Sequence, residues 1–348
     1  MTLESRRDHV GEFQEVFTSI RDQVGKVIVG QRETLEQILI AFFAGGHVLI
    51  EGVPGTGKTL MARSIAQVLN LRFTRIQFTV DLMPADVTGT RMVMDREDGR
   101  REFVFVEGPV FTHILLADEI NRSTPKTQAA LLEAMAELQV TVAGTTHPLA
   151  QPFFVLATLN PIEMEGTYPL PEAQLDRFFF KVHLAYPDHA DMRQILSATT
   201  GTVVSSVEPA FDRDEAPGRI EELRRLVREV IVAPHVEEYI SRLVHATIPD
   251  GSRYAPPDAA WPGFTRDEYV NRYVSFGSSP RGGQALVLGG KVAALLDGRA
   301  NVSYEDVDRV AVPALEHRLV VNFAAEADSV DPASIVQRVV RSVAKHRR

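Results

Sequence analysis

The chain contains no cysteine and a single tryptophan among its 348 residues. Without a thiol there is no disulfide, no thiolate zinc site and no cysteine nucleophile. Its ten histidines are scattered, among them His47, His113, His147, His183, His235 and His317, with no H-x-x-x-H pair. That pattern suits core and surface histidines rather than a metal cage. No apolar run approaches the roughly eighteen residues that a membrane-spanning helix needs. The N-terminal MTLESRRDHV also lacks an apolar signal segment, so a cytoplasmic protein with no transmembrane segment is expected. Positive charge is in short supply too: 37 Lys and Arg stand against 46 Asp and Glu, a net charge of −9. Proteins that live on nucleic acid or anionic membranes are usually basic, so no nucleic-acid partner is expected. What remains is ordinary for a globular chain, 45% hydrophobic and 24% charged, and long enough for two domains.

Against this background one stretch stands out. Residues 52–59 read GVPGTGKT, which fits G-x-x-x-x-G-K-[ST] through Gly52, Gly57, Lys58 and Thr59. Glycines at this spacing let backbone N–H groups turn inward around phosphate oxygens, and the following helix presents its N-terminus to the same negative charge. The intervening Val53, Pro54, Gly55 and Thr56 belong to that cradle, and Leu60 follows it. Lys58 can reach the β- and γ-phosphates, and the Thr59 hydroxyl can ligate Mg²⁺. The context supports the motif, because HVLIE (47–51) is a short apolar strand and LMARSIAQVL (60–69) an amphipathic helix. ATP and Mg²⁺ are the cofactors implied.

A second segment, HILLADEIN (113–121), is an apolar run ending in Asp118 and Glu119. Buried parallel strands look like this, with polar residues at the C-terminal edge where open α/β sheets bind ligands. Asp118 is then placed to hold Mg²⁺, and Glu119 to take a proton from an attacking water.

From 47 to about 186 strands and helices alternate: HVLIE, a helix, FTRIQF (73–78), HILLAD, a helix opened by Thr124-Pro125, PFFVLATLN (152–160) and FFFKVHL (178–184). The alternation predicts an α/β fold with a parallel sheet. Before it lie an amphipathic helix over 5–24 and a second from Glu33 to Phe43. Two alternating segments read as hairpins, one over 90–108 turning at Asp98-Gly99, the other over 139–149 turning at Ala143-Gly144. They are edge hairpins or protruding elements; the pattern alone leaves both open. After Tyr186-Pro187 helices are expected over Glu221–Ile231, Pro234–Ala246, Arg281–Leu296 and Val310–Phe323. Ser303 and Asp306 form a capping-box signature. A proline-rich stretch, 249–263, carries Trp261. The division expected is 1–187 and 188–348.

With these residues in view the chain resembles the MoxR family of AAA+ ATPases. The likeness rests on RIQFTVDLMPADVTG (75–89), GPVFTHILLADEINRSTPKTQAALLEAM (108–135) and FFVLATLNPIEMEGTYPLPEAQLDRF (153–178) as well as on the phosphate loop. It is dense over about 20–190 and looser beyond. It implies an AAA+ core with a five-stranded parallel sheet flanked by helices, followed by a smaller all-α lid. The hairpins would be the family's helix-2 insert and the hairpin before the first sensor.

Residue by residue, VIVGQ resembles the segment that lies against adenine, bringing in Ile28, Val29, Gly30 and Gln31. Asn160 matches the polar residue that orients the attacking water, although Leu159 stands where the family usually has glutamine. Arg177 matches the arginine that reaches a neighbouring subunit's nucleotide. Arg281, in SSPRGG, resembles the second sensor, whose service in cis or in trans stays open. The resemblance further implies a homo-oligomeric ring, a hexamer foremost, that remodels or matures protein clients, some with von Willebrand A domains. A metal-chelatase motor is the alternative in a nearby class. A nucleic-acid motor and a nucleotide-gated scaffold without remodelling activity are further rivals.

Overall fold

The structure, a computed structural model, describes residues 3–95, 101–162, 166–201, 206–253 and 264–343. The expected Asp98-Gly99 turn and Trp261 lie outside the described residues. Helices α1 (Leu3–Gly25) and α2 (Arg32–Ala44) precede strand β1 (Val48–Gly52) and helix α3 (Lys58–Val68). Strand β2 (Phe73–Gln77) and helix α4 (Pro84–Thr88) lead into a hairpin, β3 (Gly89–Asp95) and β4 (Arg101–Glu107). Strand β5 (Ile114–Asp118) and helix α5 (Pro125–Glu137) follow. A second hairpin, β6 (Gln139–Val142) and β7 (Thr145–Pro148), then leads to β8 (Phe154–Leu159), the short helix α6 (Glu172–Leu175) and β9 (Phe180–Leu184).

The five strands β2, β5, β8, β1 and β9 form one sheet in that order, every pairing parallel. The central strands β5, β8 and β1 are nearly continuous apolar runs because both faces are covered, whereas the edge strands carry polar residues, Arg75 and Gln77 on β2 and Lys181 and His183 on β9. Alternation sorts them. Val48, Ile50, Ile114, Leu116, Phe154 and Leu156 join one hydrophobic cluster, while Leu49, Leu115, Ala117, Val155 and Ala157 join the other. On the first face a chain of rings runs Phe17, Phe43, Phe42, Phe154, with centroids 5.2–5.8 Å apart. On the second lie α4, α5 and the hairpins. The Ala143-Gly144 turn has left-handed backbone at both residues, φ +49° and +80°, the twist a two-residue hairpin requires. The hairpins touch: the Phe105 ring stacks on His147 with centroids 3.9 Å apart.

Beyond β9 come α7 (His189–Thr200), α8 (Ala216–Glu229), α9 (Pro234–Ala246), α10 (Glu268–Tyr273), β10 (Val274–Phe276), α11 (Pro280–Leu296), α12 (Tyr304–Leu315), β11 (Val320–Val321), α13 (Phe323–Ala327) and α14 (Pro332–Ser342). This helical region also holds a small antiparallel ladder between β10 and β11. The helix expected over Val310–Phe323 is instead α12, which starts where the Ser303–Asp306 capping box puts it and ends at Leu315. A buried 3₁₀ turn, Glu316–Arg318, replaces its continuation. Arg224 of α8 donates to the Phe42 carbonyl and lies over its ring, centroid 4.8 Å away, tying the helical region to α2.

His47, immediately before β1, is buried. Its Nδ1 accepts from Val155 N and its Nε2 donates to the Met135 carbonyl. Burial disfavours the imidazolium and pushes its pKa from 6.5 down to about 4. An unfolded chain takes up this proton below pH 6.5 and the fold resists it, so the stabilisation is complete above 6.5. It drains away as pH falls toward 4, amounting to roughly 3 kcal/mol when fully lost. Denaturant unfolding at pH 7 and pH 5 therefore gives a steeper acid loss for the native chain than for His47→Gln. Equal slopes would remove His47 from this role. His183 has the opposite sign: its bond to Glu316 raises its pKa, so that contribution is present at low pH and fades as pH rises through the raised value.

Candidate functional site

The loop between β1 and α3 carries residues 52–59. Gly55 and Gly57 have left-handed φ of +83° and +87°, which any side chain would strain. Gly52 is confined differently, since a Cβ there would lie 2.9 Å from Leu184 Cβ. Thr56 Oγ1 donates to the Val53 carbonyl at 2.9 Å, and Lys58 Nζ donates to the Gly52 carbonyl at 2.5 Å. Val53, Lys58 and Thr59 are half-buried, whereas Pro54, Gly55 and Leu60 are exposed. Lys58 and Thr59 open α3, so the loop's N–H groups and the helix N-terminus share one opening.

Asp118 ends β5 and Asn160 follows the end of β8, the strand lying between β5 and β1. Three adjacent strand ends thus place the loop, Asn160 and the acidic pair side by side. Asp118 is buried. Its Oδ1 accepts from Thr158 Oγ1 at 2.6 Å, and its Oδ2 from Arg75 at 2.7 and 3.0 Å. Glu119 is a non-glycine with φ +55°, a conformation of a kind that concentrates at functional sites. Its N–H donates to Thr158 Oγ1 at 2.8 Å, and its Oε2 accepts from Gln77 at 2.8 Å and Arg122 at 3.0 Å. Asn160 Oδ1 accepts from Ile162 N at 3.2 Å. Its Nδ2 is buried with no partner, an orphan donor that calls for a ligand or water.

Ile28 and Val29 are half-buried, and Gly30 has φ +76° with a Cβ position only 2.1 Å from Asp191 Oδ2. Gln31 donates to the Ala185 carbonyl at 3.0 Å. This segment therefore lies at the seam between the end of β9 and α7.

The two arginines stand elsewhere. Arg177, exposed, donates to the Leu132 carbonyl of α5 at 2.8 Å. Arg281 donates to Asp176 at 3.4 Å, not to the phosphate loop. Asp176 also accepts from Ser279 at 2.8 and 3.0 Å and from Arg318 Nε at 2.9 Å. Arg318 is buried, and its remaining nitrogens donate to the carbonyls of Asp176, Phe178, Phe179 and Ala314. One carboxylate thus gathers the start of α11, the turn after α12 and the segment bearing Arg177.

Sequence reasoning missed Arg75, Gln77, Thr158, Asp176 and Arg318. The signals were there in part: Arg75 and Gln77 alternate on β2, and Thr158 is the hydroxyl inside an apolar strand. Arg318 carries no local signal, since its partners other than the Ala314 carbonyl are 139 to 142 residues away.

The residues fit a nucleotide with Mg²⁺. Two left-handed glycines shape the cradle, an ammonium sits at its edge, a hydroxyl and a carboxylate offer hard oxygen ligands, and Asn160, in the same row of strand ends, keeps an unpartnered amide nitrogen. Among the described residues no cluster of His, Asp and Glu forms a metal cage of its own. No helix there is long and apolar enough to cross a membrane.

Residues 47–180 match the ATPase family associated with various cellular activities (AAA), and residues 266–339 match the AAA lid domain. The chain is 39% identical to Chaperone MoxR1 of Mycobacterium tuberculosis over 92% of its own length and 80% of that protein's. It is 31% identical to Protein MoxR of Methylorubrum extorquens, over 95% and 94%. The crystal structure of a candidate ATPase from Cytophaga hutchinsonii superposes with TM-score 0.85 and 37% identity, covering 99% of each chain. An MCM homologue from Methanopyrus kandleri shares only the fold, at TM-score 0.54 and 16% identity. The chain therefore belongs to the MoxR family of AAA+ ATPases.

Proposed function

We propose that this protein is an ATP-hydrolysing ring motor of the cytoplasm, acting as a chaperone-like remodeller or maturation factor for partner proteins. The observation that carries the reading is the convergence of phosphate loop, Asn160 and the Asp118–Glu119 pair on three adjacent ends of parallel strands. Residues 1–187 form the nucleotide-binding core and 188–348 the lid. The ring is a hexamer, and some clients carry von Willebrand A domains, as the resemblance to MoxR proteins suggests.

The chemistry follows from the groups in place. The loop's N–H groups and Lys58 hold the β- and γ-phosphates, with Lys58 leaving the Gly52 carbonyl to do so. Ile28 and Val29 offer an apolar edge to the base. Thr59 and Asp118 would hold Mg²⁺, which when bound would supply positive charge against the phosphate oxygens. Glu119 takes the proton of the attacking water, and Asn160 Nδ2 finds in that water or the γ-phosphate the acceptor it lacks. Arg177 and Arg281 complete the charge balance from outside the loop.

The first test is binding. Lys58→Ala removes the ammonium, a charge-assisted contact, and ATP affinity measured by calorimetry falls by about 10²-fold. A variant binding ATP as tightly as the native chain would refute the phosphate-loop assignment and the function built on it.

A further inference from the structure

The edge strand β2 carries Arg75 and Gln77 two residues apart, on one face, with Gln77 opposite Asp118 in the register. Arg75 donates to Asp118 Oδ2 through Nε at 3.0 Å and through a terminal nitrogen at 2.7 Å. The same terminal nitrogen donates to Gln77 Oε1 at 2.8 Å. A guanidinium offers donors only, so it decides how the Gln77 amide faces. The carbonyl turns to Arg75, and the amide nitrogen is left to donate to Glu119 Oε2 at 2.8 Å. Asp118 and Glu119 are therefore joined in a row through Arg75 and Gln77.

We propose that Arg75 is an internal counter-cation that competes with Mg²⁺ for Asp118 and gives the carboxylate up when the metal arrives. The inference rests on the role given above to Asp118. The Asp118 side chain is 10% exposed and that of Arg75 46%. A carboxylate so enclosed needs a cation beside it, and Arg75 supplies one when no ion is bound. The exposed partner can swing into water, whereas the enclosed one cannot. Mg²⁺ brings twice the charge of a guanidinium but gives up its waters reluctantly, so it wins the carboxylate only with phosphate oxygens completing its shell. Arg75 is a positioning residue in this scheme and touches no reacting atom.

The experiment titrates Mg²⁺ into the full chain with a fluorescent, non-hydrolysable ATP analogue. Arg75→Ala should reach half-maximal binding at a roughly tenfold lower Mg²⁺ concentration, equivalent to about 1.4 kcal/mol, with Arg75→Lys in between. In EDTA the analogue should bind both forms equally. At saturating Mg²⁺ hydrolysis by Arg75→Ala should match the native rate within about twofold, since the metal has already displaced Arg75. An unchanged or higher Mg²⁺ half-point overturns the proposal, and so does weaker binding in EDTA, which would make Arg75 a phosphate ligand. Should Arg75→Ala fail to fold, Arg75→Gln keeps the stem, lacks the charge and carries the same expectation. Native-like binding by Lys58→Ala would instead sink the underlying nucleotide site, a failure distinct from that of Arg75.

Discussion

Replacing Glu119 by glutamine should leave ATP bound but uncleaved, with hydrolysis reduced by about 10³-fold, in the range for loss of a general base. The substitution is mild in every other respect. Glutamine retains an oxygen to accept from Gln77 and Arg122, the two donors that now meet Oε2. The strained backbone at φ +55° is pinned by the bond from the residue 119 N–H to Thr158 Oγ1, which no side-chain change disturbs. What disappears is basicity, because an amide cannot take the proton that water must lose as it attacks. Phosphate release and nucleotide retention measured on one preparation separate the two effects. Hydrolysis within about threefold of the native rate would place the base elsewhere. Loss of nucleotide binding would show that the carboxylate matters for affinity rather than for proton transfer.

The parts of this site that are local in sequence were legible before the fold was known. A glycine loop between an apolar strand and a helix states its own geometry, and an apolar run that ends in Asp118-Glu119 states where it stops being buried. The order of the strands was not legible. That β8 inserts between β5 and β1, and so brings Asn160 between the phosphate loop and the acidic pair, follows from long-range pairing that periodicity does not encode. The expected Val310–Phe323 helix failed for a related reason. Its residues favour a helix, but Glu316, His317 and Arg318 are each drawn to partners on the segment 176–183. Glu316 meets His183, His317 meets the Phe178 carbonyl and Arg318 meets Asp176. Tertiary hydrogen bonds to buried charges outweigh an intrinsic preference of a few tenths of a kcal/mol per residue. The Asp176 carboxylate that Arg318 binds also accepts from Arg281, the residue that resembles the second sensor.

Arg177→Ala subunits should bind ATP normally yet hydrolyse it on the order of 10³-fold more slowly, the scale of losing an arginine that stabilises a transferring phosphoryl group. Within one chain Arg177 donates to the Leu132 carbonyl of α5, away from the chain's own phosphate loop. Its segment is held firmly, because Arg318 binds the carbonyls of Asp176, Phe178 and Phe179 on either side. An exposed guanidinium on a rigid mount can serve a site on another subunit. Mixing Arg177→Ala with Lys58→Ala chains tests this directly. A Lys58→Ala neighbour cannot use its own site, but its intact Arg177 completes the site of an Arg177→Ala chain that retains its phosphate loop, so the mixture should regain activity that neither variant shows alone. Assembly is governed by mass action, so specific activity should also climb with protein concentration. A mixture as inactive as its components, with flat specific activity and a monomer by light scattering in ATP, would defeat the ring and leave Arg177 without a role in hydrolysis.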